Sequence, residues 1–306
     1  MPPAICVTPA RTAAPHDART TVVVLTYRRA GELARTLAHL SALPERPPIV
    51  VVDNASGDDT ARCVRMRFPH VTLVRAPANL GAAGRNLGAA LARTRYVAFC
   101  DDDTWWAAGA LARAADLLDA YPWVAALTAR VLVGCDARED PTCALMARSP
   151  LVAPVALPGR PILGLLAGAT IFRRAAFVAA GGYHPRLFIG GEETLLALDL
   201  CSAGHWLVYA PQLTVHHHPS ALRDAHARTA LLARNALWTA WLRLPAAAAW
   251  RHSLRSLPRL CRDHGWRAGW RTLAGLGWTL RERRPLGARV ERMRRRIAAG
   301  EPEADR

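Results

Sequence analysis

The sequence predicts an α/β protein whose mixed, mainly parallel sheet is flanked by helices. Three observations carry that expectation. Between residues 21 and 100, short β-branched runs alternate with segments of helical period. The runs are apolar at consecutive positions rather than at every second one, as strands buried on both faces must be. Polar stretches rich in Gly, Asn and Asp then follow the strands, beyond their carboxyl ends where such folds bind ligands.

The elements follow in order. "TVVVLTY" is a strand and "GELARTLAHLSAL" its helix; "PIVVVD" and "DDTARCVRMRF" repeat the pair, as do "VTLVRA" and "GRNLGAALART"; "YVAFC" is the next strand. A helix over 107–120 and a strand over 124–133 come next, and the Pro-rich stretch 134–161 reads as an irregular loop region, mobile or substrate-facing. The strand "GATIF", a helix from Arg174, the loop "GGYHPRLFIGG", a helix over 192–203 and the strands "HWLVYA" and "LTVHH" complete the pattern. Residues 1–20 are broken by Pro and have no sustained apolar run, so they read as a flexible leader rather than a signal peptide. The expected organisation is a leader (1–20), an α/β domain (21–220) and an Arg- and Trp-rich helical extension (221–306).

The net charge of +16 is unevenly placed, since 221–306 holds 19 of the 40 Arg against only 7 of the 24 acids. There is no Lys in the chain, and the uniform use of Arg in an Ala-rich sequence points to codon bias, so the charge is no argument for nucleic-acid binding. Seven Cys without a C-x-x-C pair argue for reduced thiols in a cytoplasmic protein and against a disulfide framework or zinc site. The longest apolar stretch, 162–172, is too short for a bilayer span, which needs about 20 residues. Six of the ten Trp lie after Ser220 among the Arg. Arg and Trp on amphipathic helices suit an anionic membrane surface, and a helical appendage with packed Trp and solvated Arg is the alternative. The expected location is cytoplasmic, with the extension offering a peripheral contact at the inner face of the membrane.

The stretch "FCDDDTWW" places Asp101, Asp102 and Asp103 together after a buried strand, with no Lys or Arg adjacent. A helix cap explains one carboxylate, not three. Asp101 and Asp103, one residue apart, have the spacing at which a turn aims two carboxylates at a hard cation such as Mg²⁺ or Mn²⁺.

"VVVLTYRR", "VVDNASGDDT", "NLGAAGRNLG", "DDDT", "GGYHPRLFIGGEETLLALDL" and "VHHH" occur in the order and near the spacing of the family 2 inverting glycosyltransferases, and the chain most resembles their bacterial rhamnosyltransferase and galactofuranosyltransferase-like branch. The resemblance spans residues 21–220. It implies the GT-A (Rossmann-like) fold and metal-dependent transfer of a sugar from a nucleoside-diphosphate donor to a hydroxyl acceptor in cell-envelope or natural-product glycosylation.

Residue by residue, it assigns Asp101 to the donor ribose and Asp103 to the metal, with Asp102 beside them in the donor site. Asp53 matches an acid that contacts the base, though an Asx turn explains it equally well. Thr26 and Tyr27 match the end of the first strand in the same pocket. Asn79, Arg85 and Asn86 lie in a Gly-rich loop whose backbone can approach phosphates or simply start a helix. Glu193 takes the position of the catalytic base and Glu192 the preceding acid; both also suit a helix N-terminus. His217 is the expected third metal ligand among His216, His217 and His218, and an imidazole favours Mn²⁺. Trp105 and Trp106 either stack on the acceptor sugar or anchor the next helix.

The chain departs from the family in using Glu rather than Asp as base, in having Leu195 where a second acid is usual and in having Asp199 where Arg is usual. Two rival functions remain at this point. A sugar-nucleotide-forming nucleotidyltransferase lacks support because no "GxGTRL"-like loop follows the first strand. A non-catalytic nucleotide-sugar-binding relative is supported only by the unusual "GEETLLALD" segment.

Overall fold

The computed structural model describes residues 5–10, 19–219 and 225–300. The strands, in chain order, are β1 (Cys6–Thr8), β2 (Thr20–Thr26), β3 (Ile49–Asp53), β4 (Thr72–Arg75), β5 (Tyr96–Asp101), β6 (Thr104–Trp106), β7 (Val124–Val133), β8 (Arg138–Glu139), β9 (Arg160–Ile162), β10 (Thr170–Arg173) and β11 (Trp206–His217). The helices are α1 (Ala30–Ser41), α2 (Thr60–Arg67), α3 (Gly84–Leu91), α4 (Ala110–Ala120), α5 (Pro141–Ala147), α6 (Arg174–Ala179), α7 (Glu192–Ser202), α8 (Ala225–Arg243), α9 (Ala246–His264), α10 (Trp266–Ala274), α11 (Leu276–Arg281) and α12 (Ala288–Gly300).

One mixed sheet runs β1-β4-β3-β2-β5-β10-β7-β11-β6, with β8 paired to β7 and β9 to β11. Strands β4, β3, β2 and β5 are mutually parallel, and β7 is parallel to β11. The antiparallel β10 separates these two blocks, so all six strands point the same way. This is the mixed, mainly parallel α/β sheet that the apolar runs predict. Val22, Val23 and Val24 are all fully buried, which a strand achieves only with helices on both faces. Helix α1 turns Leu33, Leu37 and Leu40 inward at helical spacing. Phe99 of β5 sits in an aromatic cluster with Phe172, Phe177 and Tyr183, at centroid separations of 5.1 to 5.8 Å. That cluster seats the loop around Tyr183 beside the end of β5.

Three expectations need correction. The leader is not featureless, because β1 pairs antiparallel with β4 and sets Val7 against Val74; the apolar "ICV" gives the exposed sheet edge a partner. The remaining leader residues (1–4 and 11–18) and the boundary at 220–221 lie outside the described residues. The stretch 134–161 contains β8, β9 and α5, the last started by Pro141 in its first turn and by Asp140, whose carboxylate accepts the Thr142 N–H at 2.8 Å. The two strands expected over 206–217 are one strand with a bulge between Ala210 and Thr214, where Pro211 cannot donate to a ladder.

The extension packs onto the α/β unit. Leu187 and Leu195 form a small core with Trp238, Leu242 and Trp278, while Leu286, Val290 and Met293 join the main core. Among the described residues, no helix is long and apolar enough to cross a membrane.

Candidate active site

The cleft lies at the carboxyl ends of β2, β5 and β11 and has a volume of about 660 Å³, the size range of small-molecule sites. Thr26, Tyr27, Asn79, Arg85, Asp101, Asp102, Asp103, Glu192, Glu193 and His217 all line it. Ten of the fourteen site residues expected from the sequence thus converge on one cavity.

The acidic corner is built where β5 ends and the chain turns into β6. The Asp101 N–H donates to Thr104 Oγ1 at 2.8 Å, and Thr104 Oγ1 donates to the Gly168 carbonyl at 3.0 Å, which fixes the turn. A Cβ on Gly168 would lie 2.8 Å from Asp101 Oδ2, so a larger residue there would push that carboxylate aside. Asp102 and Asp103 are buried. Thr26 Oγ1 donates to Asp102 at 3.0 Å, and Arg29 Nη1 reaches Asp102 at 3.1 Å and Asp103 at 3.3 Å. Arg29 starts α1, directly after Arg28 takes a left-handed turn (φ 56°) out of β2. Asp101 is paired with the buried Arg85, whose guanidinium also lies 5.6 Å from the Tyr183 ring centroid. Burial pushes the Asp102 carboxyl up to about 7 against the pull of Arg29, with repulsion from Asp101 and Asp103 adding to the rise.

These arginines change the answer to the charge problem that the acidic triplet poses. The nearby positive charge comes first from Arg29 and Arg85, distant in sequence but adjacent in space. The three-ligand metal site also needs amending. His217 Nε2 and Asp103 Oδ1 are 3.6 Å apart, whereas Asp101 is turned to Arg85. Among the described residues, no three His, Cys, Asp or Glu side chains converge as a ligand cluster. The carboxylate and imidazole still fit a divalent cation, since Mg²⁺ and Mn²⁺ commonly take one or two carboxylates and complete their shell with substrate phosphates.

Glu192 and Glu193 occupy the first turn of α7. Glu192 is buried, and Glu193 accepts the Ala167 N–H. Burial, followed by repulsion from Glu192, pushes the Glu193 carboxyl up to about 7, which outweighs the Ala167 hydrogen bond and the pull of Arg85. That value suits a group that must lose and gain a proton near neutrality.

The loop entering α7 is held from outside the α/β unit. Asn235 of α8 is fully buried, and its amide donates to the carbonyls of Leu187 (2.7 Å), Ile189 (3.1 Å) and Gly190. Arg243 clamps Asp199 of α7, with Nη2 to Oδ2 at 2.8 Å. Phe188 takes a left-handed φ of 64°, and its carbonyl accepts the Ala82 N–H at 2.6 Å. Gly81 makes that approach possible, as a Cβ there would lie 2.1 Å from the Phe188 oxygen. Strain of this kind persists only where the surroundings over-determine it.

Four expected site residues lie elsewhere. Asp53 is fully buried and outside the cleft lining; it accepts the Ser56 N–H at 2.8 Å and Arg75 Nε at 3.0 Å, the Asx-turn reading. Its neighbour Asn54 lines the cleft and donates to the Gly81 carbonyl at 2.9 Å. Trp106 is fully buried in the core, and Trp105 lies stacked between His39 (4.1 Å) and His218 (5.0 Å). Neither Trp lines the cleft, so both anchor the β6 turn instead of presenting a face to an acceptor. Asn86 also departs from a phosphate role, exchanging two hydrogen bonds with the Tyr183 backbone at 2.8 and 2.9 Å. Sequence reading missed Arg29, Asn54, Ala167, Asn235 and Arg243; for Arg29 alone there was a signal, the basic pair in "TYRR".

The pattern of Glycosyl transferase family 2 matches residues 21–179, just over half of the chain. The chain belongs to that family. It is a glycosyltransferase, and its mixed α/β fold agrees with that membership. It is 26% identical over 279 residues to an N-acetylglucosaminyl-diphospho-decaprenol L-rhamnosyltransferase of Mycobacterium tuberculosis, a match covering 76% of this chain and 89% of the relative. In fold it is similar to the mannosyltransferase PcManGT from Pyrobaculum calidifontis in complex with GDP-Man and Mn²⁺ (TM-score 0.56, 21% identity, 94% of this chain and 78% of that one). It is also similar to residues 1–349 of TarS from S. aureus in complex with UDP-GlcNAc (TM-score 0.56, 16% identity, 86% and 89%).

Proposed function

We propose that this glycosyltransferase transfers a sugar from a nucleoside-diphosphate donor to a hydroxyl acceptor with inversion at the anomeric carbon, using Mn²⁺ or Mg²⁺. The observation that carries this reading is the convergence, in one cleft, of the Asp103–His217 pair with Glu193, a half-buried residue whose carboxyl is pushed up to about 7. Asp103 and His217 would hold the cation, and Thr26, Tyr27, Asn54, Asn79, Asp101 and Asp102 the nucleotide end of the donor. The cation, when bound, supplies Lewis-acid stabilisation of the diphosphate as it departs. Arg29 and Arg85 hold the carboxylates in place while the site is being filled.

Glu193 is the base. As the acceptor oxygen forms its bond to the anomeric carbon, the hydroxyl proton passes to the Glu193 carboxylate, and the bond from that carbon to the diphosphate oxygen breaks with its electron pair leaving on phosphate. The Ala167 N–H fixes Glu193 Oε1, which orients the other oxygen for the acceptor. Glu192, buried behind it, acts by raising the proton affinity of Glu193.

The mycobacterial relative's name supports a deoxyhexosyl donor and a polyprenyl-diphosphate-linked acceptor, consistent with a cytoplasmic enzyme working at the inner face of a membrane. Residues 21–220 form the transferase unit and 221–306 its extension. The test is turnover with a panel of nucleotide sugars, with Mn²⁺ and with EDTA, followed by NMR of the product linkage. Inverted product that needs the cation supports the reading; retained configuration, or equal rates in EDTA, overturns it.

A further inference from the structure

Five of the extension's six tryptophans fall into two sets, and the sixth, Trp241, is half-buried, donates to Ser253 Oγ and lies edge-on to Trp250 at 6.2 Å. Trp238 and Trp278 are buried against each other, at a centroid separation of 5.3 Å, within the core around Leu187 and Leu195. Trp250, Trp266 and Trp270 are instead 58%, 72% and 68% exposed, beside the exposed Leu254 and Leu273. Trp250 and Leu254 stand i, i+4 on α9, and Trp266, Trp270 and Leu273 stand i, i+4, i+7 on α10, so each helix turns one apolar stripe to solvent. The two helices pack closely: a Cβ on Gly269 of α10 would lie 2.3 Å from Cys261 Sγ of α9.

An arginine follows each aromatic or leucine at the centre of these stripes, giving Trp250-Arg251, Leu254-Arg255, Trp266-Arg267 and Trp270-Arg271. One residue is a 100° step round a helix, so a row of guanidinium groups flanks each apolar stripe. All four of these Arg are exposed, and Asp263 is the sole acid on the two helices. The Arg267 guanidinium sits 5.7 Å from the Trp266 ring centroid, with the charge held at the rim of the apolar face.

We propose that α9 and α10 form a membrane-docking face. Trp250, Trp266, Trp270 and Leu254 enter the boundary between headgroups and acyl chains of an anionic phospholipid surface, and Arg251, Arg255, Arg267 and Arg271 meet the phosphates. Charge complementarity selects this occupant. A second copy of the chain would bring arginine rows against arginine rows, and an uncharged partner would leave them uncompensated. The face rests on its own residues and does not depend on the chemistry proposed for the cleft.

The test is co-sedimentation of the full chain, without donor or acceptor, with vesicles of phosphatidylcholine alone or with about a third phosphatidylglycerol. Binding to the anionic vesicles is expected, weakening at least tenfold in 1 M salt, where the screening length is about 3 Å. The double variant W266A/W270A is expected to bind at least tenfold more weakly with unchanged far-UV circular dichroism, since both rings are exposed. R267Q/R271Q is expected to lose the preference for anionic over neutral vesicles. Absence of sedimentation by the folded wild type, equal binding to both vesicle types, or a vesicle-free dimer abolished by W266A/W270A would each overturn the proposal. Turnover on a water-soluble acceptor is read separately, so a failure of docking is not confused with a failure of the transferase reading.

Discussion

Asp101, Asp102 and Asp103 are positioned by Thr26, Arg29 and Arg85, all within the α/β sheet unit, whereas Glu193 reaches the same cleft in the first turn of α7, whose entering loop is gathered up by Asn235 of α8. The donor side is therefore a property of the sheet. The base side is shared between the sheet unit, which supplies the Ala167 N–H, and the helical extension, which supplies the Asn235 amide and the Arg243 clamp on α7. The difference teaches that the extension braces the side of the cleft that carries the proposed base and not the side that carries the acidic corner. Perturbing it should change turnover while sparing donor binding.

That comparison can be sharpened in a graded series. Glu193→Gln removes the proton acceptor, and kcat should fall by about a thousandfold, measured as nucleoside diphosphate release, with donor affinity unchanged. Equal turnover would take Glu193 out of the base role. Asn235→Ala leaves three loop carbonyls without their shared amide. A base displaced by even 1 Å costs about a hundredfold, so kcat should drop by that order while the KM for donor stays within about twofold. A fall in Tm alone, with kcat intact, would break the link between extension and base.

The pH profile probes the same carboxyl. As the proposed base, Glu193 has to be deprotonated, and burial pushes its carboxyl up to about 7. The kcat/KM of the enzyme should therefore fall tenfold per pH unit below about 7, a limb that an ordinary carboxylate would show only below pH 5. On the donor side, Arg29→Gln should lower the stability of the metal-free protein by about 2 kcal/mol, because Asp102 and Asp103 stay buried with less compensation. Mn²⁺ should then raise Tm more in the variant than in the wild type, as seen by differential scanning fluorimetry. The smallest effect is expected from Trp105→Phe, which keeps an aromatic ring in a stack outside the cleft lining; kcat should change by less than about twofold, against a large loss if Trp105 met the acceptor.

What was legible in the sequence follows the same division. The parallel strands were visible because burial on both faces forces continuous apolar runs such as Val22, Val23 and Val24. The corner at Asp101, Asp102 and Asp103 was visible because consecutive acids after a buried strand are costly without a purpose. What could not be read were partners brought in by tertiary contact: Arg29 and Arg85 against the acids, Asn235 against the loop, Arg243 against Asp199. The same limit explains the displaced residues. Asp53 and Asn54 are adjacent, and only the backbone turn decides which faces the cleft. Trp105 and Trp106 read equally as stacking platforms and as anchors until β6 pairs with β11 and buries them.

Calorimetric titration of nucleoside diphosphate with Mn²⁺ into His217→Ala and Asn235→Ala, alongside the wild type, tests the two-sided cleft most directly. The account predicts that Asn235→Ala binds as the wild type does while His217→Ala loses the Mn²⁺-dependent part of the affinity. Undiminished binding by His217→Ala together with lost binding by Asn235→Ala would contradict it.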